Sequence, residues 1–239
     1  MKIALFGYGK MGKSIESIAL ERNHEIVARV DSQNPRDSFD LKDADAIIEF
    51  SRPEFAVENI RFAFDHQLPI IVGTTGWYDE FELIADECQK KNGSLLYATN
   101  FSLGVNVFFA VNERLAEMMS GLDDYSASLL EIHHTEKLDA PSGTGISLAE
   151  QIIERSNRYQ QWKNDFSENI SEKEILPLAS KREEGVAGTH EVMYQSAIDS
   201  IEIKHTAHSR KGFALGSVLA AEWLADKKGI FTMRDVLNS

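Results

Sequence analysis

Across the first hundred residues, short and continuously apolar runs alternate with helical periods, and few folds accommodate that rhythm. The runs are KIALF (2–6), EIVARV (25–30), AIIEF (46–50), PIIV (69–72) and LLYA (95–98). A strand that is apolar throughout is buried on both faces, which occurs where helices cover a parallel sheet from either side. The intervening stretches supply those helices. Met11, Ile15, Ile18 and Ala19 recur at helical spacing, as do Ala56, Ile60, Ala63 and Phe64 behind Pro53. Residues 79–92 form a further helix, with Phe81, Ile84, Ala85 and Cys88 inward, so Cys88 reads as a core thiol. The fold class expected is α/β, a Rossmann-type parallel sheet.

Ligands of such sheets lie beyond the carboxyl ends of the strands, and small polar loops stand at four of those ends. The first run meets Gly7-Tyr8-Gly9-Lys10-Met11-Gly12, a G-x-G-x-x-G turn into a helix. Its mechanical sense is a tight turn at Gly7, approach of a pyrophosphate at Gly9 and helix packing at Gly12. Asp31 closes the second run, where a ribose-binding carboxylate belongs. Gly73-Thr74-Thr75 follows the fourth run, and Ala98-Thr99-Asn100-Phe101 ends the fifth. Together they are the candidate nicotinamide-dinucleotide site.

Near Gly104 the pattern changes. A helix with Phe108, Val111, Leu115 and Met118 inward precedes Tyr125–His134, which alternates as a strand. Ala127, Leu129, Glu131 and His133 share one face, so His133 and His134 point to opposite sides. Lys137, Asp139 and Pro141 make a loop, and Ser142 caps a helix beginning Gly143-Thr144-Gly145, with Ile146, Ala149 and Ile153 as its apolar stripe. A helix start built of small residues, beside two imidazoles and an ammonium, suits an anion with a proton donor nearby. Residues 156–174 read as a solvated excursion. Ile175–Arg182, Thr189–Ser196 and Ser200–His208 read as antiparallel strands, and Phe213–Leu224 as a buried helix. His190, His205, His208 and Arg210 are expected on a polar strand face. They lack the helical H-x-x-x-H spacing or thiol partners of a metal site, so no metal is expected.

A formal net charge of −13 argues against nucleic acid and anionic membranes as partners, so an anion site at 131–145 would rest on local donors, His133, His134 and Lys137. No run of about 18 apolar residues appears, and the start MKIALFG is short for a secretory signal. With one cysteine, a reducing, cytoplasmic location is expected.

GYGKMG (7–12), FSRPE (50–54), VGTTGW (72–77), ATNFSLGVNV (98–107), EIHHTEKLDAPSGTG (131–145) and FTMRDVL (231–237) resemble the 4-hydroxy-tetrahydrodipicolinate (dihydrodipicolinate) reductase family of lysine and diaminopimelate synthesis. The resemblance implies a dinucleotide-binding domain of residues 1–104 with 212–239, and a mixed-sheet substrate and oligomerisation domain of 105–211. It implies reduction of a dicarboxylate ring by NADH or NADPH, with His133 as acid/base and Lys137 as proton donor. Substrate would rest on His134, Ser142, Gly143 and Thr144, cofactor on 7–12, Asp31, 73–75 and 98–101, and the assembly would be a homotetramer. Lys10 replaces the family's usual arginine, and Ser32 stands where NADPH users place one. NADH is therefore expected to serve at least as well as NADPH. A related amino-acid or aldehyde dehydrogenase would call for a nucleophilic cysteine or another substrate loop, and a dinucleotide-sensing regulator for a basic DNA-binding element. Neither is visible.

Overall fold

The apolar runs become β1 (Lys2–Phe6), β2 (Glu25–Val30), β3 (Ala46–Glu49), β4 (Ile70–Val72) and β5 (Ser94–Tyr97) in the computed structural model, which describes residues 1–164, 174–209 and 211–238. With Gly229–Phe231 (β11) they form one parallel sheet, ordered β11-β5-β4-β3-β1-β2. Successive residues of each strand feed opposite cores, which is why the runs are apolar throughout. Ile3, Leu5, Ile48, Ile71 and Leu96 pack with α1 (Lys10–Glu21) and α6 (Lys211–Leu224). Ala4, Phe6, Ile47, Ile70 and Leu95 pack with α2 (Pro53–Asp65) and α3 (Phe81–Lys90). Cys88 is buried in the second core, and burial raises its thiol pKa. Strand order reverses between β1 and β3, the switch point where such sheets open a ligand crevice.

The chain divides into two compact units, Met1–Asn106 with Lys211–Ser239, and Val107–Arg210. The second is built on β6 (Ser126–His133), β7 (Gln161–Lys163), β8 (Ile175–Arg182), β9 (Gly188–Gln195) and β10 (Ser200–Ala207), ordered β10-β9-β6-β8-β7. Ala127, Leu129, Leu176, Leu178, Val192 and Tyr194 turn one face of this sheet toward α4 (Leu103–Met119) and α5 (Gly143–Arg155).

Four expectations need correction in this unit. Ile175–Arg182 runs parallel to β6, since the α5 crossover returns the chain in the same direction, whereas β9 is antiparallel to both β6 and β10. Val111 and Met118 are exposed, at 44% and 63%; α4 instead turns Phe108, Asn112, Ala116 and Met119 inward. Asn112 is fully buried on that face, donating Nδ2–H to the Leu148 carbonyl (3.1 Å) and to Gln151 Oε1 (2.9 Å) of α5. The buried stripe of α5 is Gly145, Leu148, Ala149 and Ile152, with Ile146 and Ile153 only half-buried. Finally, the excursion after Ser156 carries Tyr159, which is buried and accepts the Ala127 N–H at 2.7 Å, and then β7. Its residues 165–173 lie outside the described residues.

Candidate active site

In the first unit the glycine loop behaves as its spacing requires. Gly7 has φ +96°, and a Cβ there would stand 2.1 Å from the Phe50 carbonyl oxygen. A Cβ on Gly12 would meet the Gly7 carbonyl oxygen at 2.3 Å, so the turn packs directly on α1. Gly9, by contrast, faces open space, with nothing within 4 Å of a Cβ. It is the N-cap of α1, it offers no side-chain cap, and no acid occupies the first turn. That start is open to a phosphate, so the residues present fit a dinucleotide.

Around the loop, Asp31 Oδ1 accepts Gln33 N–H (2.9 Å), Asn34 N–H (2.8 Å) and Asn34 Nδ2–H (3.1 Å), which hold its carboxyl below the usual range. The side chain therefore also serves as a turn cap. Thr74 is buried, and its hydroxyl accepts Ser51 N–H at 2.9 Å, while Thr75 is exposed. Phe101 is buried on Phe50, and Asn100 Oδ1 accepts Ser102 N–H at 2.9 Å, so this segment offers backbone where its side chains turn inward.

At the switch point Glu49 is fully buried. It accepts Ser51 N–H at 3.0 Å, a short bond from Ser51 Oγ, and a long one from Asn59 Nδ2 at 3.5 Å. Burial raises its pKa, against the pull of hydrogen bonds from Ser51, Thr74 and Asn59.

In the second unit the reactive groups gather around another buried glutamate. Alternation along β6 turns Glu131 and His133 inward together. Glu131 accepts Ser142 N–H on both oxygens at 3.0 Å and a short bond from Ser142 Oγ. Ser142 Oγ in turn accepts Gly145 N–H at 3.1 Å, capping α5. A Cβ on Gly145 would lie 2.7 Å from Glu131 Oε2, so the second glycine of GTG exists for this contact. Gly143 is exposed with open space about it, leaving that part of the helix start approachable.

Register brings in two residues that the sequence reading left elsewhere. Glu131 stands opposite His190 on β9, and His133 opposite Arg182 on β8. His190, expected on a polar face, is 6% exposed. Its Nε2 lies 3.3 Å from Ser142 Oγ and 3.8 Å from Glu131 Oε2. Period-two spacing with Val192 and Tyr194, both buried, is the signal that could have placed it inside. His205 pairs with it on β10, whereas His208 is exposed and Arg210 lies outside the described residues.

The two buried imidazoles meet edge to face, 5.0 Å between centroids. His133 Nδ1 is 3.9 Å from Glu131 Oε1 and has no hydrogen-bond partner. Burial lowers its pKa, an effect opposed by Glu131 and reinforced by Lys137 and Arg182. Burial, with His133 next in weight, pushes His190 down to about 4. Lys137 Nζ sits 2.9 Å from Asp139 Oδ1 in the loop between β6 and α5.

Glu131, His133 and His190 offer ligand atoms within 4.8 Å of one another. The carboxylate is already taken up by Ser142, with Arg182 3.6 Å away, so a divalent cation would face established donors and a positive neighbour.

Residues 1–101 match the family model for the dihydrodipicolinate reductase N-terminus and residues 104–237 that for its C-terminus. The chain belongs to the dihydrodipicolinate reductase family. A 4-hydroxy-tetrahydrodipicolinate reductase of Christiangramia forsetii is 51% identical over 238 residues, covering 100% of this chain and 98% of the relative. One of Rickettsia rickettsii is 35% identical, with 95% of each chain covered. A dipicolinate-bound dihydrodipicolinate reductase from a Paenisporosarcina species shares the fold, at a TM-score of 0.76 and 20% identity over 97% of each chain. For a dihydrodipicolinate reductase, the residues that motif reading passed over are Glu49, Arg182 and His190. Glu49 and Arg182 reach these sites through burial and register, and His190 through the alternation it shares with Val192 and Tyr194.

Proposed function

We propose that the protein reduces 4-hydroxy-tetrahydrodipicolinate to tetrahydrodipicolinate, with loss of water, in lysine and diaminopimelate synthesis. The observation that carries this reading is the joining of His133, Lys137 and the Ser142-capped helix start about one buried carboxylate, Glu131. A bound reduced nicotinamide supplies hydride, and each turnover also consumes one proton. His133 and Lys137 are the acids proposed to give it; burial lowers the pKa of His133, and neighbouring charges then adjust its proton affinity. Ser142, Gly143 and Thr144 orient a substrate carboxylate at the α5 N-terminus, and His134 adds a donor to it.

Residues 7–12, Asp31, 73–75 and 98–101 hold the dinucleotide, the first unit acting as its domain and the second as the domain for substrate and assembly. NADH serves at least as well as NADPH. Asp31 repels a 2′-phosphate, and the nearby arginines are engaged. Arg29 is bound to Glu16, with Nε at 3.0 Å, and Arg36 pairs with Glu58 at 2.8 Å and lies over the Phe62 ring. A tenfold or larger kcat/KM preference for NADPH would contradict this.

Assembly is a homotetramer through the sheet of the second unit. The face of that sheet turned away from α4 and α5 carries Leu130, Ile132, Ala179 and Met193, all half-buried, and β10 leaves an open edge. A monomer by light scattering at micromolar concentration would overturn it. Among the described residues no helix is long and apolar enough to cross a membrane. The location proposed is the cytoplasm, whose reducing conditions suit a chain with one cysteine.

The deciding assay makes substrate in situ from pyruvate and aspartate semialdehyde with the upstream synthase, and follows NADH loss. Turnover that depends on both precursors is expected. Protein that binds NADH but shows no substrate-dependent oxidation would remove the reading.

A further inference from the structure

We infer that Arg182 is a positioning residue of this reaction, fixing the loop that presents Lys137 against the strand that presents His133. The inference rests on the reductase reading above. Arg182 ends β8 directly beside His133 in the parallel register, and the next residue, Glu183, donates its N–H to the His133 carbonyl at 2.8 Å. From there the guanidinium reaches across to the loop. Nε donates to the Lys137 carbonyl at 3.2 Å and Nη2 to the Asp139 carbonyl at 2.5 Å. Both carbonyls flanking Leu138 thus end on one side chain. Leu138 itself is 97% exposed, so no apolar packing of its own holds the loop at that point.

The remaining nitrogen closes the arrangement. Nη1 donates to the Lys181 carbonyl at 2.8 Å and faces Glu131 Oε1 at 3.6 Å. Glu131 is held in turn by Ser142, so the start of α5, the buried carboxylate, the guanidinium and the Lys137 loop form one connected series. A planar fork with several fixed donors can serve two carbonyls and a carboxylate together, and a lysine ammonium cannot reproduce that geometry. His133 is faced by Glu131 from its own strand, by Lys137 and Asp139 from the loop, by Arg182 from β8 and by His190 from β9. Arg182 therefore also contributes one of the charges that set the proton affinity of His133.

The test uses the full-length protein with Arg182→Ala and Arg182→Lys. Turnover is measured in the coupled assay, NADH affinity by fluorescence titration, and loop order by hydrogen exchange over residues 134–141. Arg182→Ala is expected to lower kcat about 10²-fold, the scale of a reacting group misplaced by about 1 Å, with the NADH Kd unchanged. Exchange across 134–141 should quicken while the β6 core stays protected. The pH limb that reports His133 should move upward, since a neighbouring cation is gone. Millimolar guanidinium should restore part of the turnover and loop protection in Arg182→Ala. Arg182→Lys, which refills the space without the fork, should recover little activity and gain nothing from added guanidinium. Wild-type kcat in Arg182→Ala would overturn the proposal. So would lost turnover with unchanged loop exchange, or a loss shared by NADH binding and the melting transition that guanidinium does not reverse. Turnover by wild-type protein in the same assay tests the reductase reading separately, and its absence would overturn both.

Discussion

Glu49 and Glu131 are both fully buried, each beside the carboxyl end of a strand, yet the two units surround them with different chemistry. Glu49 meets neutral donors only: Ser51, Thr74 and Asn59. Its pKa is raised by burial, and one of its oxygens has no partner. Glu131 is bound by Ser142 and stands among Arg182, His133 and His190. A buried carboxyl among neutral dipoles organises loops without projecting a strong field. One set beside a guanidinium and two imidazoles orders ionisable side chains as well, and any change to it is felt by each of them. Both glutamates help bind the loops around them, but only Glu131 stands beside the residues proposed for proton transfer.

The largest effect that would sharpen this contrast is on turnover. His133→Gln or Lys137→Ala is expected to lower kcat by about 10²–10⁴-fold, the usual contribution of a positioned acid, while the NADH Kd holds. If His133→Gln raised only KM, the assignment of proton transfer to the Glu131 cluster would be wrong. Next is Glu131→Gln, which leaves Arg182 facing a neutral amide. Breaking such a pair costs roughly 3–5 kcal/mol when it is fully buried, and Arg182 is 21% exposed, so a loss near the lower figure is expected in denaturant unfolding. A Glu131→Gln protein as stable as wild type would remove the distinction between the two sites.

The pH dependence of stability separates the units in sign. His190 has its folded pKa depressed from 6.5 to about 4, so its contribution is present above 6.5 and lost as pH falls toward 4. The linkage amounts to on the order of 3 kcal/mol. Glu49 works in the other direction. Its raised folded pKa gives a contribution present below about 4.5 that is lost as pH rises through the folded value. His190→Asn should therefore flatten the acid limb of a Tm–pH curve. Glu49→Gln, the smallest effect of the series, should raise Tm at neutral pH. A fall in Tm there would mean that Glu49 is bound as an anion, and the contrast would dissolve.

Local periodicity carries far in this chain. Continuous apolar runs locate β1 to β5, alternation puts Glu131 and His133 on one face, and Ser142 before Gly143-Thr144-Gly145 marks a helix start that the coordinates show capped. Where reading failed, a polar group had taken an inward position. The buried face of α4 holds Asn112, bonded to α5, and that of α5 holds Gly145, packed on Glu131. Arg182 comes beside His133 through strand pairing, and His190, whose inward face alternation with Val192 and Tyr194 marks, meets Glu131 by the same means. Such pairing depends on which strands lie side by side, and no local pattern encodes that. The parallel course of β8 is of the same kind, whereas Tyr159 is buried from a loop, on the Ala127 amide.

The strand Gly229–Phe231 hydrogen-bonds in parallel to Ser94–Tyr97, and α6 covers the central strands of the same sheet. A ribosome delivering this chain releases β1 to β5 first, then the whole of Val107–Arg210, and only afterwards the segment that closes the sheet's edge. Throughout that interval β5 has a bare flank and the face under α6 is uncovered, while the inserted unit already has all its own strands. The first unit to begin emerging is thus the last to have its sheet complete. A nascent chain stalled before Lys211 is where a chaperone would find apolar surface to hold.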